Sequence, residues 1–438
     1  MAHQSPLRHR TEHAGLPTIP FQDPQNPTLN ADITLTFGAP EAEYAAFRKG
    51  AALLDRPDRA ALAFTGADHT DFLNRLLTQE LMPKGQPLPP YTNTAAFWLN
   101  RKGRIDADLR LTTIPHTEGL PGLPTPNTSH ASATIADLDI IAAPHTATTL
   151  DAFLFAEDAA IHDTTTATHR FQLHGPTSAR LLADLAEPHP HHPDAPPIDT
   201  IANRRSTVVK IAGKTAVIDR DDQTADLGLH ILVGLEDAET VFDAIAQHAR
   251  DEFGHHNNPE TDNYKLRHAG WHAFNTARLE AATPLFRIDF STNNLPAETA
   301  LLEKRVSFTK GCYLGQEVVA RMHSLGKPKQ QLVPITINTP PINANNNDTI
   351  PADPPEPGTS IYPGQHNPGD PIPDLESTKP IGAVTSAANS PMLAGRTIAL
   401  AQIKTDHAKP GTPLLLLTAP DTLTPAAVHD EPTFWSRA

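Results

Sequence analysis

The residues with the clearest chemical potential lie together in Lys310-Gly311-Cys312-Tyr313-Leu314-Gly315-Gln316-Glu317-Val318-Val319-Ala320-Arg321. Cys312 is the only cysteine of 438 residues, so neither an intrachain disulfide nor a cysteine-only metal site is available. Gly311 and Gly315 bracket it, letting the backbone turn sharply or approach a ligand closely. From Gln316 the pattern turns helical, with Glu317 and Arg321 one turn apart. Cys312 then precedes a helix N-terminus, with Lys310 nearby. Both features favour the thiolate, the nucleophilic and metal-binding form of the side chain. The plainer alternative is a buried cysteine acting as a small apolar packing residue.

The charge around this segment is unusual for the chain. Residues 301–331 carry Lys304, Arg305, Lys310, Arg321, Lys327 and Lys329 against Glu303 and Glu317, although the whole chain has a formal charge of -15. A local positive field suits an anionic ligand; a solvated charged face is the plainer reading. The overall acidity argues against a nucleic-acid-coating surface. Elsewhere, Asp106 and Asp108 stand two apart in a strand-like stretch, which puts both carboxylates on one face. Arg278 and Glu280 form either a pocket lining or a structural ion pair, and Trp98 is either a stacking surface or core. His189, His191 and His192 have the look of a metal-binding tract, but their interleaved prolines favour a solvated loop, and no metal site is expected. His323, two residues beyond Arg321, has equal claims to facing the cysteine or turning away.

The elements that must position these groups read as α+β. A helical pattern from Glu41 carries Tyr44, Phe47, Ala51 and Leu54, and the strand Ala61–Gly66 and the helix around Phe72 to Leu77 follow. AAFWLN and DADLRLTTI form a hairpin turning at Arg101-Lys102-Gly103-Arg104. Pro115–Ser132 reads as an insertion loop and Leu150–Ile161 as a helix. FQLHG, VVKIAG and LGLHILVG read as strands, and Ala238–Ala249 as an amphipathic helix. Beyond Gln331 the sequence is β-rich, interrupted by a stretch dense in Pro, Asn, Asp and Gly. The expected organisation is a flexible arm over 1–30, an α+β region over 31–331, a β-barrel over 332–418 holding an insertion at 338–380, and a tail over 419–438. No run reaches the roughly 18 apolar residues needed to span a bilayer, and the N-terminus lacks a secretory core. A lone thiol suits a reducing compartment, so the reading is soluble and cytoplasmic, with no membrane or direct nucleic-acid partner.

The motif Lys-Gly-Cys-Tyr-x-Gly-Gln-Glu-x-x-x-Arg resembles the signature of the YgfZ family of folate-binding proteins, relatives of the glycine-cleavage T-protein. Supporting pieces occur in order: the Asp55–Leu77 block, Arg278-Leu279-Glu280-Ala281, Leu295-Pro296-Ala297-Glu298, Gly382–Ser386 and Ile398–Ala401. The resemblance implies an aminomethyltransferase-like fold, with two intertwined α+β domains around a central hole and a C-terminal β-barrel. It implies tetrahydrofolate, or a one-carbon derivative, as cofactor, with Arg278, Glu280, Asp106, Asp108 and Trp98 as candidate folate contacts. Lys310, Gly311, Cys312, Gly315, Gln316, Glu317 and Arg321 carry over as the functional motif. Transferases of this superfamily place adjacent aspartates after a hairpin; here the stretch reads Asp106-Ala107-Asp108, so the pair is broken. Their Glu-x-Gly-x-Glu is Asp226-Leu227-Gly228-Leu229-His230, and the arginine of their Ala-Arg-Asp segment is missing from Ala273-Phe274-Asn275. The resemblance therefore implies an accessory protein for iron–sulfur enzymes, with such clients or assembly proteins as partners. An aminomethyltransferase using Asp106 or Asp108, and a non-catalytic scaffold, are the alternatives.

Overall fold

Strands with alternating side chains dominate a computed structural model that describes residues 4–23, 26–126, 132–253, 266–337, 353–364, 378–419 and 422–437. The chain divides into two compact units, the first comprising Met1–Asn100, Asp106–Phe274 and Lys304–Leu314, the second Arg101–Ile105, Asn275–Glu303 and Gly315–Ala438.

The first unit is α+β. A five-stranded sheet runs in the order Thr92–Leu99, Ile105–Pro115, Ser132–Asp139, Arg59–Thr65, Ala160–Asp163. A seven-stranded sheet runs Glu187–Pro188, Ser206–Ile211, Lys214–Arg220, Gly228–Gly234, Thr168–His174, Ala51–Asp55, Leu266–His268. Pairing is antiparallel except at the Leu266–His268 edge, which runs parallel to Ala51–Leu53. One face of the larger sheet, including Phe171, Leu173, Ile218, Leu229 and Ile231, is covered by the helices Ser178–Leu185 and Ala238–Phe253 through Leu181, Leu182, Val241 and Ile245. Period-two alternation turns Arg170, Gln172, Asp219 and His230 to the opposite face. There Val208, Val217 and Leu232 meet Ala61, Ile114 and Ile135 of the smaller sheet. The layer between the sheets is thus part apolar and part ionic.

The second unit contains a closed six-stranded barrel ordered Gln330–Ile337, Arg396–Lys404, Gly382–Ser390, Ser360–Pro363, Pro413–Ala419, Thr422–Val428. Every second residue points inward, including Val333, Ile335, Ile337, Ala399, Ala401, Ile403, Leu414, Leu416, Ala426 and Val428. Leu332, Ile398 and Leu400 face outward and pack with Leu279 and Phe434.

Several expectations are corrected. The segment 1–30 is not a loose arm where it is described: Arg8–His13 is helical, and Thr18–Gln22 pairs with Asn30–Thr34. Leu7 is buried, and Arg10 bonds Asp243 and Glu239. The barrel does not stop at 418, because Thr422–Val428 closes it and Phe434 is buried against its outside. Residues 338–352 and 365–377 of the expected insertion lie outside the described residues, but Ser360–Pro363 between them is a barrel strand. Its four residues are too few to show a period. Ala51 and Leu54 belong to a strand, the helix ending at Lys49. The helix expected over Leu150–Ile161 runs instead over Ala143–Asp151, and Phe155 beyond it is 87% exposed. The apolar run misled because it spans the end of a helix, an exposed turn at Phe155 and the start of the strand Ala160–Asp163.

Candidate functional site

Cys312 is exposed, which excludes the packing reading. The residues before it are tied down. Thr78 donates its hydroxyl to the Arg305 carbonyl at 2.7 Å, and Ser307 N bonds the Thr78 carbonyl at 2.9 Å. The Lys310 ammonium donates to the carbonyls of Asn74 and, at 2.5 Å, Leu77. These close the helix His69–Leu76, whose last carbonyls have no intrahelical donors. Lys310 also lies 5.1 Å over the buried Tyr313 ring, and burial pulls its pKa down to about 8. The lysine thus serves as an internal anchor, and the expected cation beside the thiol is occupied with backbone.

After the cysteine, Gly315 takes φ 80°, the left-handed conformation that non-glycine residues resist, and precedes the helix Gln316–Leu325. Gly311 is exposed, and a Cβ there would meet open space. Gln316 is half-buried. Glu317 and Arg321 are exposed and, among the described residues, do not pair with one another; His323 is exposed on the same helix.

Asp106 and Asp108 share a half-exposed strand face, as alternation requires, while Ile105, Ala107 and Leu109 are buried on the other. Asp106 accepts from Asn100 at 2.9 Å, with His145 Nε2 3.7 Å away. Asp108 is held by Arg305 at 2.8 Å. Two residues further along the same face comes Arg110, which sequence reasoning passed over. It joins Asp137 of its own sheet to Asp219 (2.9 Å) and Asp221 (3.1 Å) of the other, and lies 3.1 Å from His230 Nε2. Asp137 also meets Arg59 (2.9 Å) and Arg170 (3.4 Å). Burial opposes ionisation of Asp137, but Arg170, Arg59 and Arg110 outweigh it and hold the carboxyl well below its usual range. Burial, with Arg110 and His174 nearby, keeps His230 neutral. The place expected for a pterin-facing acid is therefore a sealed imidazole, 0% exposed.

Three further candidates are structural. Arg278, 0% exposed, bonds Asp289 at 2.6 Å, Asn275 at 3.0 Å and Ser386 at 2.7 Å. Glu280 accepts from Ser390 at 2.5 Å and is equally buried. Trp98 is enclosed at 1% exposure, its indole N–H on Thr149 at 3.0 Å and its ring edge-on to Phe153. None offers a surface to folate, because each polar group has its partner inside the fold. His189 and His192 are also buried, not solvated as expected. His192 bonds Tyr91 (3.0 Å) and Thr117 (2.8 Å), and His189 lies 3.4 Å from Thr215. No group of ligating side chains fit for a metal occurs among the described residues, nor any helix long and apolar enough to cross a membrane.

What remains is a pair of carboxylates, each with 16% of its side chain exposed and Asp108 held by Arg305, together with an exposed thiol on an anchored loop. Carboxylates fit the hydrogen-bond donors along a pterin edge, and a guanidinium fits a glutamate carboxylate.

Residues 18–310 match the GCVT N-terminal domain and 349–434 the glycine cleavage T-protein C-terminal barrel domain. The chain is 26% identical over 382 residues to an aminomethyltransferase of Streptomyces avermitilis, covering 87% of this chain and 86% of that one. It is 26% identical over 384 residues to an aminomethyltransferase of Streptomyces coelicolor, with the same coverage. The crystal structure of the glycine cleavage system aminomethyltransferase T from Bartonella henselae superimposes with a TM-score of 0.73 at 18% identity, over 98% of this chain and 97% of that one.

Proposed function

Because the chain belongs to the GCVT aminomethyltransferase-like family, we propose that it is a tetrahydrofolate-binding accessory protein of the YgfZ type. In this reading it supports assembly or maintenance of iron–sulfur clusters in client enzymes, such as radical-SAM tRNA-modifying ones. The observation that carries it is Cys312: an exposed thiol within Lys310–Arg321, on a loop held by Lys310 and Tyr313. One thiol supplies one of the four ligands a cluster usually takes, so the remaining ligands come from the client or an assembly protein. Asp106 and Asp108 are the proposed folate contacts, Asp108 being positioned by Arg305, in place of the enclosed Arg278, Glu280 and Trp98.

The names of the Streptomyces relatives favour a second reading, a folate-dependent aminomethyltransferase. Two features oppose it. Ala107 stands between the acids and is buried, and Asp108 is neutralised by Arg305. Asp108, held by Arg305, is not a free general base. Incubating the protein with tetrahydrofolate and an aminomethylated carrier protein separates the readings. The accessory reading expects folate binding without methylene-tetrahydrofolate formation; turnover that depends on Asp108 replaces it with the transferase.

A further inference from the structure

Within the first unit, the helix Arg8–His13 and the hairpin of Thr18–Gln22 with Asn30–Thr34 line one cavity of about 140 Å³ with polar side chains. Packed elements ordinarily turn apolar faces to one another. Here Arg8, Thr11 and Glu12 share a helix face. Strand alternation puts Asn30, Asp32 and Thr34 together on one side and buries Ala31 and Ile33 on the other. Asp55, at the end of the strand Ala51–Asp55, completes the wall. The gap is held open by anchors outside it. Leu7 sits in the core of the larger sheet, and Arg10 bonds Asp243 and Glu239, which fixes the helix. Asp55 takes the Ser5 hydroxyl on one oxygen and lies 2.6 Å from His169 Nε2 on the other.

The charges of the wall do not balance. Glu12, Asp32 and Asp55 stand against Arg8, and Arg8 is spent on Glu12 at 2.6 Å. Asp32 reaches Arg8 only through its field and makes no side-chain bond among the described residues. Thr34 lines the same cavity at 9% exposure, and its hydroxyl has no hydrogen-bond partner among the described residues. An enclosed hydroxyl and an unspent carboxylate on one strand face call for a partner that the fold does not supply. No group of side chains suited to a metal ion occurs among the described residues, so an organic cation fits better. At roughly 30 Å³ per water-sized group, the cavity seats about four or five such groups.

We propose that this gap binds the ammonium group of a short aliphatic amine, with Asp32 and Asp55 supplying the negative field and Thr34 a hydrogen bond. The site shares no residue with Lys310–Arg321 or with Asp106 and Asp108, so it stands whether or not folate binds there.

The test is calorimetric titration of the full chain with n-butylamine hydrochloride and with its uncharged counterpart, n-butanol. One amine should bind per chain, and the alcohol at least about tenfold more weakly, because it lacks the charge-assisted bonds. Asp32→Asn should weaken amine binding about three- to fivefold, the range of an exposed ion pair. It should leave the melting temperature of the ligand-free chain unchanged, since Asp32 is exposed. Thr34→Val should weaken binding by about threefold or more through the lost hydrogen bond; if that variant does not fold, Asp32→Asn decides alone. Equal affinity for amine and alcohol, no saturable binding below about 10 mM amine, or wild-type affinity in Asp32→Asn each overturns the proposal. Displacement of the amine by calcium chloride, but not by sodium chloride of equal ionic strength, also overturns it and reassigns the gap to an inorganic cation.

Discussion

Lys310 Nζ donates to the Leu77 carbonyl at 2.5 Å, so the side chain two residues before the lone cysteine closes the helix His69–Leu76. The cysteine loop and the helix end are therefore one mechanical piece. Replacing Lys310 with Met keeps the stem but leaves the carbonyls of Asn74 and Leu77 without their donor. The expected loss is about 1–3 kcal/mol of unfolding free energy, measured by urea denaturation. A loss below about 0.5 kcal/mol, the scale of an ordinary surface change, would show that the anchor does not matter.

An exposed thiol reacts without unfolding. One thiol per chain should titrate with Ellman's reagent in native buffer, and Cys312→Ala should alter stability by no more than about 0.5 kcal/mol. A thiol that appears only in denaturant would return Cys312 to the core.

Arg278 and Asp289 are both fully enclosed and 2.6 Å apart. Arg278→Leu should cost about 3–5 kcal/mol by stranding the Asp289 carboxylate, and the effect should appear in thermal melting whether or not folate is present. If the variant melts like wild type but has lost folate affinity, Arg278 is a ligand contact after all.

How much of this could be read in the sequence depends on period and partner. The Ile105–Pro115 strand was legible because its first residues alternate, and this correctly placed Asp106 and Asp108 on one face. The barrel strands Gln330–Ile337 and Arg396–Lys404 were legible for the same reason, whereas Ser360–Pro363 lay unnoticed amid proline-rich sequence. Partners are invisible in one dimension. Arg305 was counted as part of a basic run, but its bond to Asp108 spans 197 positions. Arg278 and Glu280 carried the right residue types, yet Asp289, Ser386 and Ser390 consume them. His189 and His192 followed composition into a solvated loop, although Tyr91, Thr117 and Thr215 draw them inside.

Those two histidines give a pH dependence of definite sign. Burial lowers both to about 4, the further push coming from Lys210 and His191 on His189 and from His189 and His191 on His192. A depressed folded-state value means the unfolded chain takes up protons first. Their contribution is therefore fully present above the ordinary histidine value of about 6.5 and is lost as pH falls from there toward 4. Denaturation midpoints should drop across that window, and His189→Gln, His192→Gln should flatten the drop. An unchanged slope in the double variant would assign it to other groups, His174 and His230 first among them, since both are also depressed.

The central claim, that the exposed Cys312 carries the function, is tested most directly by complementation. A strain lacking its own YgfZ-type protein would receive the wild-type chain, Cys312→Ala or Asp108→Ala, and the activity of an iron–sulfur tRNA-modifying enzyme would be measured in each. The account predicts rescue by wild type and its loss with Cys312→Ala at equal protein level. Full rescue by Cys312→Ala would contradict it.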